Sequence, residues 1–504
     1  MERILLSLCL TSVVLSGVVS CSGALDIVQD DKLTFSNMWK TSAQVESSTN
    51  TIYDDIRLNF IQDDITMLHW GELRVGSYMW GYSHVNKVYT AKEVLDNSMT
   101  SSSASCKWGK LYKAIDQANA VLKYAPSKDI NMAEEKRQWA LGQAYFARAY
   151  CYFWAVRIWG DVPLNLVPIE STDQKELYPS RAPKEKVYEQ IGEDIEAAVA
   201  LEGHLGNNKY LATKDAVNML KAEYSLWMYT NQKGGDGYLA KAEEALIEIG
   251  VKSSDTRFLA KYSDVFDGRG SNKKNSAEVI FAYLNSQTYS LTGGFAKYFT
   301  FATAAVQKTY QNNPVPIATT QYLDYGDDFL KMLKDSRDNN GDTRVATNLG
   351  EGSYGQNTAL NGGVITWPNK YIGSLNTGVM INDADYLYYR YSFAVMMYAE
   401  LKYYQGEYTE ALSTLNIIAK RAYGKNNYYT SAAKADVLAA ITREYFLEFP
   451  CEGIIWWALI RLDKIWDYNA TLKSRKDDTN ILLWPILKDA RNKNHNLTQT
   501  EGWY

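Results

Sequence analysis

The sequence predicts a mainly α fold: a tetratricopeptide-like helical-repeat scaffold carrying a large irregular, loop-rich region and a few short strands. Three observations point there. Apolar residues recur at steps of three and four over much of the 504-residue chain. Helical segments come in pairs joined by short turns and share an alanine-rich inner stripe. Two stretches, about 65–100 and 264–384, break that period with glycine- and asparagine-rich runs.

The helical elements follow in order. Trp108, Leu111, Tyr112, Ile115, Ala118 and Leu122 make one stripe. Glu134 to Trp159 carries Ala140, Ala144, Ala147, Tyr150, Cys151 and Trp154, and Gly160-Asp161-Val162-Pro163 stops it. Trp108, Trp154 and Trp159 are assigned to the core by this spacing. Further helices are expected over Lys184–Leu201, Thr213–Tyr229, Leu239–Ile249, Tyr386–Tyr404, Tyr408–Ala422 and Val437–Phe449. The helical scaffold is thus placed at about 36–64, 105–260 and 385–504.

The N-terminus reads as a targeting device rather than fold. One arginine precedes an apolar run from Ile4 to Val19, too short for a membrane span and of signal-peptide length. Val18-Val19-Ser20-Cys21 resembles a bacterial lipobox. Residues 1–20 are therefore expected to be removed, Cys21 to be lipidated, and 21–35 to tether the remaining domain, 21–504, to a membrane.

Composition narrows the function classes. The net charge is -5 and no basic run occurs, which argues against nucleic acid. Cys106, Cys151 and Cys451 are far apart and odd in number, so buried thiols are expected rather than disulfides or zinc. No HExxH, GxSxG or GxxxxGK[ST] motif occurs, and no catalytic residue is assigned. His69 and His84 are read as surface histidines. The run from Ser336 to Gly341 resembles a calcium loop but lacks the glutamate at its twelfth position, which leaves no dedicated metal site and room only for an incidental calcium ion. Glu444 and Glu448 share a helix face, yet a glycosidase needs two carboxylates across a cleft.

Aromatic content is the unusual feature, with Tyr 38 and Trp 14. These rings offer a flat apolar face and one polar handle, which suits a sugar ring with its own apolar face. Most must fill the core. The candidates for ligand contact are those on the irregular stretches: Trp80 first, then Tyr78, Tyr82 and Arg74 beside it, with Tyr289, Tyr310, Tyr354 and Trp367 from the second stretch.

Several blocks, in order, resemble the SusD/RagB family. They are Trp108-x-x-Leu111-Tyr112-x-x-Ile115-x-x-Ala118-Asn119; Ala144 to Tyr150 with Arg148, then Arg157-Ile158-Trp159-Gly160-Asp161-Val162-Pro163-Leu164; Arg181 with Val187-Tyr188-x-x-Ile191-x-x-Asp194; Arg390-Tyr391 with Met397-Tyr398-Ala399-Glu400; and Trp484-Pro485-Ile486 to Gln499. One departure follows Glu452-Gly453, where Ile455 and Ala458 replace an expected arginine and aspartate. Loss of both partners together is compatible with a structural pair. The resemblance implies a non-enzymatic lipoprotein of the outer membrane, facing the cell exterior. It would bind oligosaccharide or polysaccharide and pass it to a SusC-like TonB-dependent barrel transporter. Alternatives are a peptide-binding RagB-like uptake lipoprotein and a structural or adhesive helical-repeat protein.

Overall fold

The computed structural model describes residues 38–61, 65–80, 89–251, 257–266, 276–286, 299, 323–353, 364–371, 373–376, 379–381 and 383–503. Among them helices α1 (Ser42–Phe60), α2 (Thr66–Gly71), α3 (Tyr89–Leu95), α4 (Gly109–Tyr124), α5 (Glu134–Trp159), α6 (Lys184–Ala200), α7 (Lys214–Asn231) and α8 (Gly237–Glu248) build the first half. The second half holds α9 (Asp327–Asn340), α10 (Tyr391–Tyr404), α11 (Tyr408–Tyr423), α12 (Lys434–Glu448) and α13 (Ile455–Arg461). Among the described residues, eight strands pair antiparallel into four two-stranded ribbons. These are β1 (Tyr78–Trp80) with β3 (Leu323–Tyr325), β2 (Val279–Tyr283) with β8 (Tyr386–Arg390), β4 (Leu349–Ser353) with β5 (Val364–Pro368), and β6 (Ser374–Asn376) with β7 (Val379–Ile381).

Local chemistry explains the helix ends. The Thr41 side chain accepts from the Gln44 backbone while the Gln44 side chain accepts from the Thr41 backbone, a reciprocal box that starts α1. Thr213 accepts from Ala216 N at 3.2 Å and starts α7. Gly160, at φ +72°, ends α5. Consecutive helices then pack as neighbours: α4 on α5, α5 on α6, α7 on α8, and α10 on α11 across a turn at Gly406 (φ +78°). This is the helical-repeat architecture that the periodicity predicts.

One residue ties three helices together. Arg148 on α5 donates from Nε and Nη2 to both carboxylate oxygens of Asp194 on α6 (2.8 and 2.7 Å) and from Nη1 to Asn119 Oδ1 on α4 (2.9 Å). The bidentate fork fixes orientation as well as distance. Nearby, Arg157 donates to Glu223 at 2.6 Å and lies over the rings of Phe153 and Trp457. Around them Phe60, Trp70, Tyr150, Trp154, Tyr283 and Tyr388 form one contiguous aromatic core. Cys106, Cys151 and Cys451 are free and buried, and burial pushes the Cys451 thiol up to about 12.

The structure departs from several expectations. Tyr386–Arg390 is not the first turn of a helix but the buried strand β8, because its tyrosine-rich run pairs with β2 before α10 begins. The stretch 65–100 is largely built in: α2, α3 and β1 lie within it, and most of the described residues from Ile65 to Tyr78 are buried. His69 is one of these, so it is not a surface histidine. The second irregular stretch contains α9, and Ser336–Asn340 is that helix's last turn, capped by Gly341 at φ +70°. Ser336 donates to Asp342, and Asp342 in turn accepts from Arg344, so this segment has no calcium-loop geometry. Trp108 is only half-buried, at the start of α4. Ile455 and Ala458, where a charge pair was expected, sit one helical turn apart on α13 and are fully buried.

Candidate functional site

The two irregular stretches meet in one frame. Strand β1 pairs with β3 so that Tyr78 faces Tyr325, Met79 faces Asp324 and Trp80 faces Leu323. Gly326 N donates to Ser77 O at 2.8 Å and closes the end of that ribbon. From β3, Asp324 accepts from Thr366 Oγ1 at 2.7 Å, which joins the ribbon to β5 and the β4–β5 hairpin. The backbone of Trp80 therefore stands at the edge of the frame, at the point where the chain leaves β1 and where Leu323 enters β3. Its side chain lies outside the described residues, as do Tyr82, Tyr289, Tyr310, Tyr354 and Cys21.

The other three candidates hold the frame from inside. Arg74 is buried and donates from Nε to Asn97 Oδ1 (2.7 Å), from Nη1 to Leu482 O (2.9 Å) and from Nη2 to Ile481 O (2.6 Å), with its guanidinium 4.5 Å from the Trp456 ring centre. Burial pushes its pKa down to about 9, which leaves it charged at neutral pH. Tyr78 is 5% exposed. Its hydroxyl donates to Glu72 Oε1 at 2.5 Å and its ring lies against Phe299 and Tyr325. Trp367 is 2% exposed, covers Gly350, and donates from Nε1 to Asn369 at 3.1 Å. As ligand contacts these three are corrected: a side chain sealed in this way positions the backbone of the frame and has no face left for a sugar.

Glycines explain why the frame is so close-packed. A Cβ on Gly71 would lie 2.0 Å from Gly453 O, and one on Gly350 would lie 2.1 Å from Trp367 Cε2. Glu72, beside Gly71, accepts from Cys451 N and Gly453 N, both at 2.8 Å. Burial pushes its carboxyl up to about 7, against the pull of Tyr78 and these two amides. Tyr468, 39% exposed, lies at this edge, and its carbonyl would meet a Cβ on Gly76 at 2.7 Å. Tyr468 is singled out by no motif and falls within the 385–504 range given to the helical scaffold. The signal that marks it is its place at the end of a single helical turn, Ile465–Tyr468, which has no room for a second buried face.

The acidic residues found together are engaged structurally. Glu444 and Glu448 on α12 are fully buried and accept from Arg344 at 2.7 and 3.0 Å, so they flank no cleft. Among the described residues no group of three or more His, Cys, Asp or Glu side chains is placed to hold a metal ion.

Two family models match the chain. One, described as "Starch-binding associating with outer membrane", covers residues 25–222, and the other, the SusD family, covers 250–503. The chain belongs to the SusD family. It is a binding protein by that membership and not an enzyme, and proteins of this family are lipoproteins associated with the outer membrane. A relative from Formosa agariphila, SusD-like protein P38, is 23% identical over 93% of this chain and 92% of its own length. Among solved structures, a SusD superfamily protein from Bacteroides fragilis superposes with a TM-score of 0.77 at 22% identity, covering 92% of this chain and all of the other. B. fragilis NanU does so at 0.76 and 26% identity, covering 93% and 98%. A laminarin binding SusD-like protein matches at 0.73 and 18% identity, covering 92% and 100%. No helix among the described residues is long and apolar enough to cross a membrane.

Proposed function

We propose that this SusD-family chain is anchored through Cys21, faces the cell exterior, captures oligosaccharide and delivers it to a SusC-like TonB-dependent transporter. The observation that carries the reading is the pairing of Trp80 with Leu323, the described end residues at which one aromatic stretch leaves the frame and the other enters it. Tyr82 follows Trp80 directly on the first stretch; Tyr289 and Tyr310 precede Leu323 on the second, and Tyr354 follows Ser353 at the end of β4. Rings on segments held by a stiff scaffold suit an extended ligand, because stacking supplies area and the scaffold limits the ordering cost. The laminarin binding relative supports a glycan as the ligand class.

The test is calorimetric or glycan-array binding with wild type and Trp80→Ala. Wild type is expected to bind at least one oligosaccharide, and Trp80→Ala to bind it at least about tenfold more weakly, as loss of a central aromatic anchor does. Indifference of wild type to every oligosaccharide, with capture of peptides instead, would overturn the glycan reading. Co-purification of the lipidated protein with a large barrel protein tests the delivery step, and its absence from membrane extracts would count against it.

A further inference from the structure

A cavity of about 500 Å³ opens where α1 ends and α4 begins. Asn59 on α1 lines it, and much of its wall is apolar, from Ala104, Trp108, Leu487 and Ala490. Trp108 is half-buried, backed by Trp159 at 5.4 Å. The rim is basic, with Lys107, Lys110 and Lys493 against one carboxylate, Asp489. Lys110 donates to Leu58 O at 3.2 Å and Lys493 pairs with Asp489 at 2.9 Å, which holds both ammonium groups at the rim. An apolar wall with a positive rim suits an apolar segment that carries carboxylates.

The chain itself supplies such a segment. Residues 21–37 precede the first described residue, Met38. Within them Leu25-Asp26-Ile27-Val28-Gln29-Asp30-Asp31 mixes apolar and acidic groups, and Leu25 and Ile27 fall on one face of an extended run. Reach is the deciding quantity. The described chain enters at the start of α1, where Trp39 stacks on Tyr124, the last residue of α4, at 5.0 Å. The cavity lies at the other end of both helices. The 19 residues of α1 cover about 28 Å. Counting back from Met38, Asp30 is 8 residues away and Ile27 is 11, which extended cover about 26 and about 36 Å. Asp30 and Asp31 thus come level with the rim, and Leu25 and Ile27 with the apolar wall.

We propose that residues 25–31 of this chain dock in this cavity. Leu25 and Ile27 lie against Trp108, Leu487 and Ala490, and Asp30 and Asp31 face Lys107 and Lys110. The occupant is joined to its site by a short connection, so its effective concentration is high and a weak contact suffices. Docking leaves only Ser22, Gly23 and Ala24 between the seated segment and Cys21. On the reading that Cys21 carries the anchor, it sets which face of the domain turns to the membrane. The cavity is separate from the edge at Trp80, since none of its lining residues belongs to β1, β3 or the β4–β5 hairpin.

The test uses residues 21–504, which contain every described residue, with Cys21→Ser so that no lipid is needed. A zero-length carbodiimide joins carboxylates to amines in contact, and mass spectrometry reads the pairs. Asp26, Asp30 or Asp31 is expected to couple within one chain to Lys107, Lys110 or Lys493 at least about tenfold more than to Lys128 or Lys136, which lie nearer the point of entry. Leu25→Ser/Ile27→Ser is expected to remove that preference, as is Ala490→Arg, which fills the cavity from the other side. The proposal is overturned if the segment couples nowhere, if it couples equally to Lys128 and Lys136, or if the preference survives both variants. Coupling only between isotopically light and heavy chains would overturn it as well, by seating a second copy there. No oligosaccharide enters the experiment, so its failure and that of the glycan reading are distinguishable.

Discussion

Arg390 at the end of β8 donates from Nε to Glu452 Oε2 at 2.7 Å, and both residues are fully buried. The pair sits in a larger network. Arg390 also reaches Glu448 Oε1 at 2.7 Å and Glu278 Oε1 at 3.4 Å, Lys370 donates to Glu452 at 2.7 Å, and Arg421 donates to Glu278 and Glu448. Burial pushes the Glu448 carboxyl up, but Arg421, Arg390 and Arg344 outweigh it and hold it well below the usual carboxylate range. Removing one buried member leaves the opposite charges stranded. Arg390→Met is therefore expected to cost about 3–5 kcal/mol, read as a lowered midpoint in urea. A variant that also carries Glu448→Gln removes one negative charge for the positive charge lost and leaves Lys370 its partner Glu452, so it is expected to recover part of that loss; a double variant no more stable than Arg390→Met would show that packing, not charge, sets the cost.

Arg74 is a second test of interior roles. Arg74→Ala leaves Asn97 and the carbonyls of Ile481 and Leu482 without their donor. A loss of about 3 kcal/mol is expected. Arg74→Lys is expected to rescue little, since one ammonium cannot span three acceptors as a planar fork does. If instead Arg74→Ala keeps wild-type stability while glycan binding disappears, Arg74 contacts ligand after all.

Most of the long scaffold helices were legible in the sequence because a period of three and four survives where one face is buried, as in Leu111, Ile115 and Ala118 on α4, whereas α9 was not, lying in a stretch read as irregular. The family blocks were legible too, but not their pairing: nothing in the sequence says that Arg148 would hold Asn119 and Asp194 at once. Tyr386–Arg390 misled because a fully buried strand carries no alternation to set it apart from a buried helix turn. The candidate site misled for a different reason. Glycines near Arg74, Tyr78 and Trp367 were read as signs of open loop. In the structure Gly71 and Gly350 mark places where backbone or indole comes within the space of a methyl group, which is a signal of dense packing.

Gly350 and Trp367 give that reversal a measurable form. Gly350→Ala forces the indole away and is expected to cost about 1–3 kcal/mol. Trp367→Ala empties the same space and is expected to cost about 3–5 kcal/mol. In the double variant the alanine methyl partly refills the cavity, so the two losses are expected to sum to more than the double variant shows. Strict additivity in a denaturation cycle would mean that ring and glycine do not touch.

Glu72 gives the frame a pH dependence of known sign. Burial raises its carboxyl from 4.5 to about 7. Between those values the folded chain binds more protons than the unfolded one, so stability falls as pH rises through this window. The contribution is fully present below the unfolded value and lost once pH passes about 7, up to about 3 kcal/mol in all. Glu448, held low, acts in the opposite sense, and its stabilisation is lost only as pH falls below the ordinary carboxylate value, so the two are separable. The urea midpoint is expected to drop between about pH 5 and pH 8 in wild type. Glu72→Gln is expected to be weaker at every pH, because its amide NH₂ must face the donors of Cys451, Gly453 or Tyr78, yet to lose the slope. Parallel curves for the two proteins would show that Glu72 keeps one protonation state throughout, and that the link from Tyr78 through Glu72 to Gly453 holds the β1 edge equally firmly at both ends of the range.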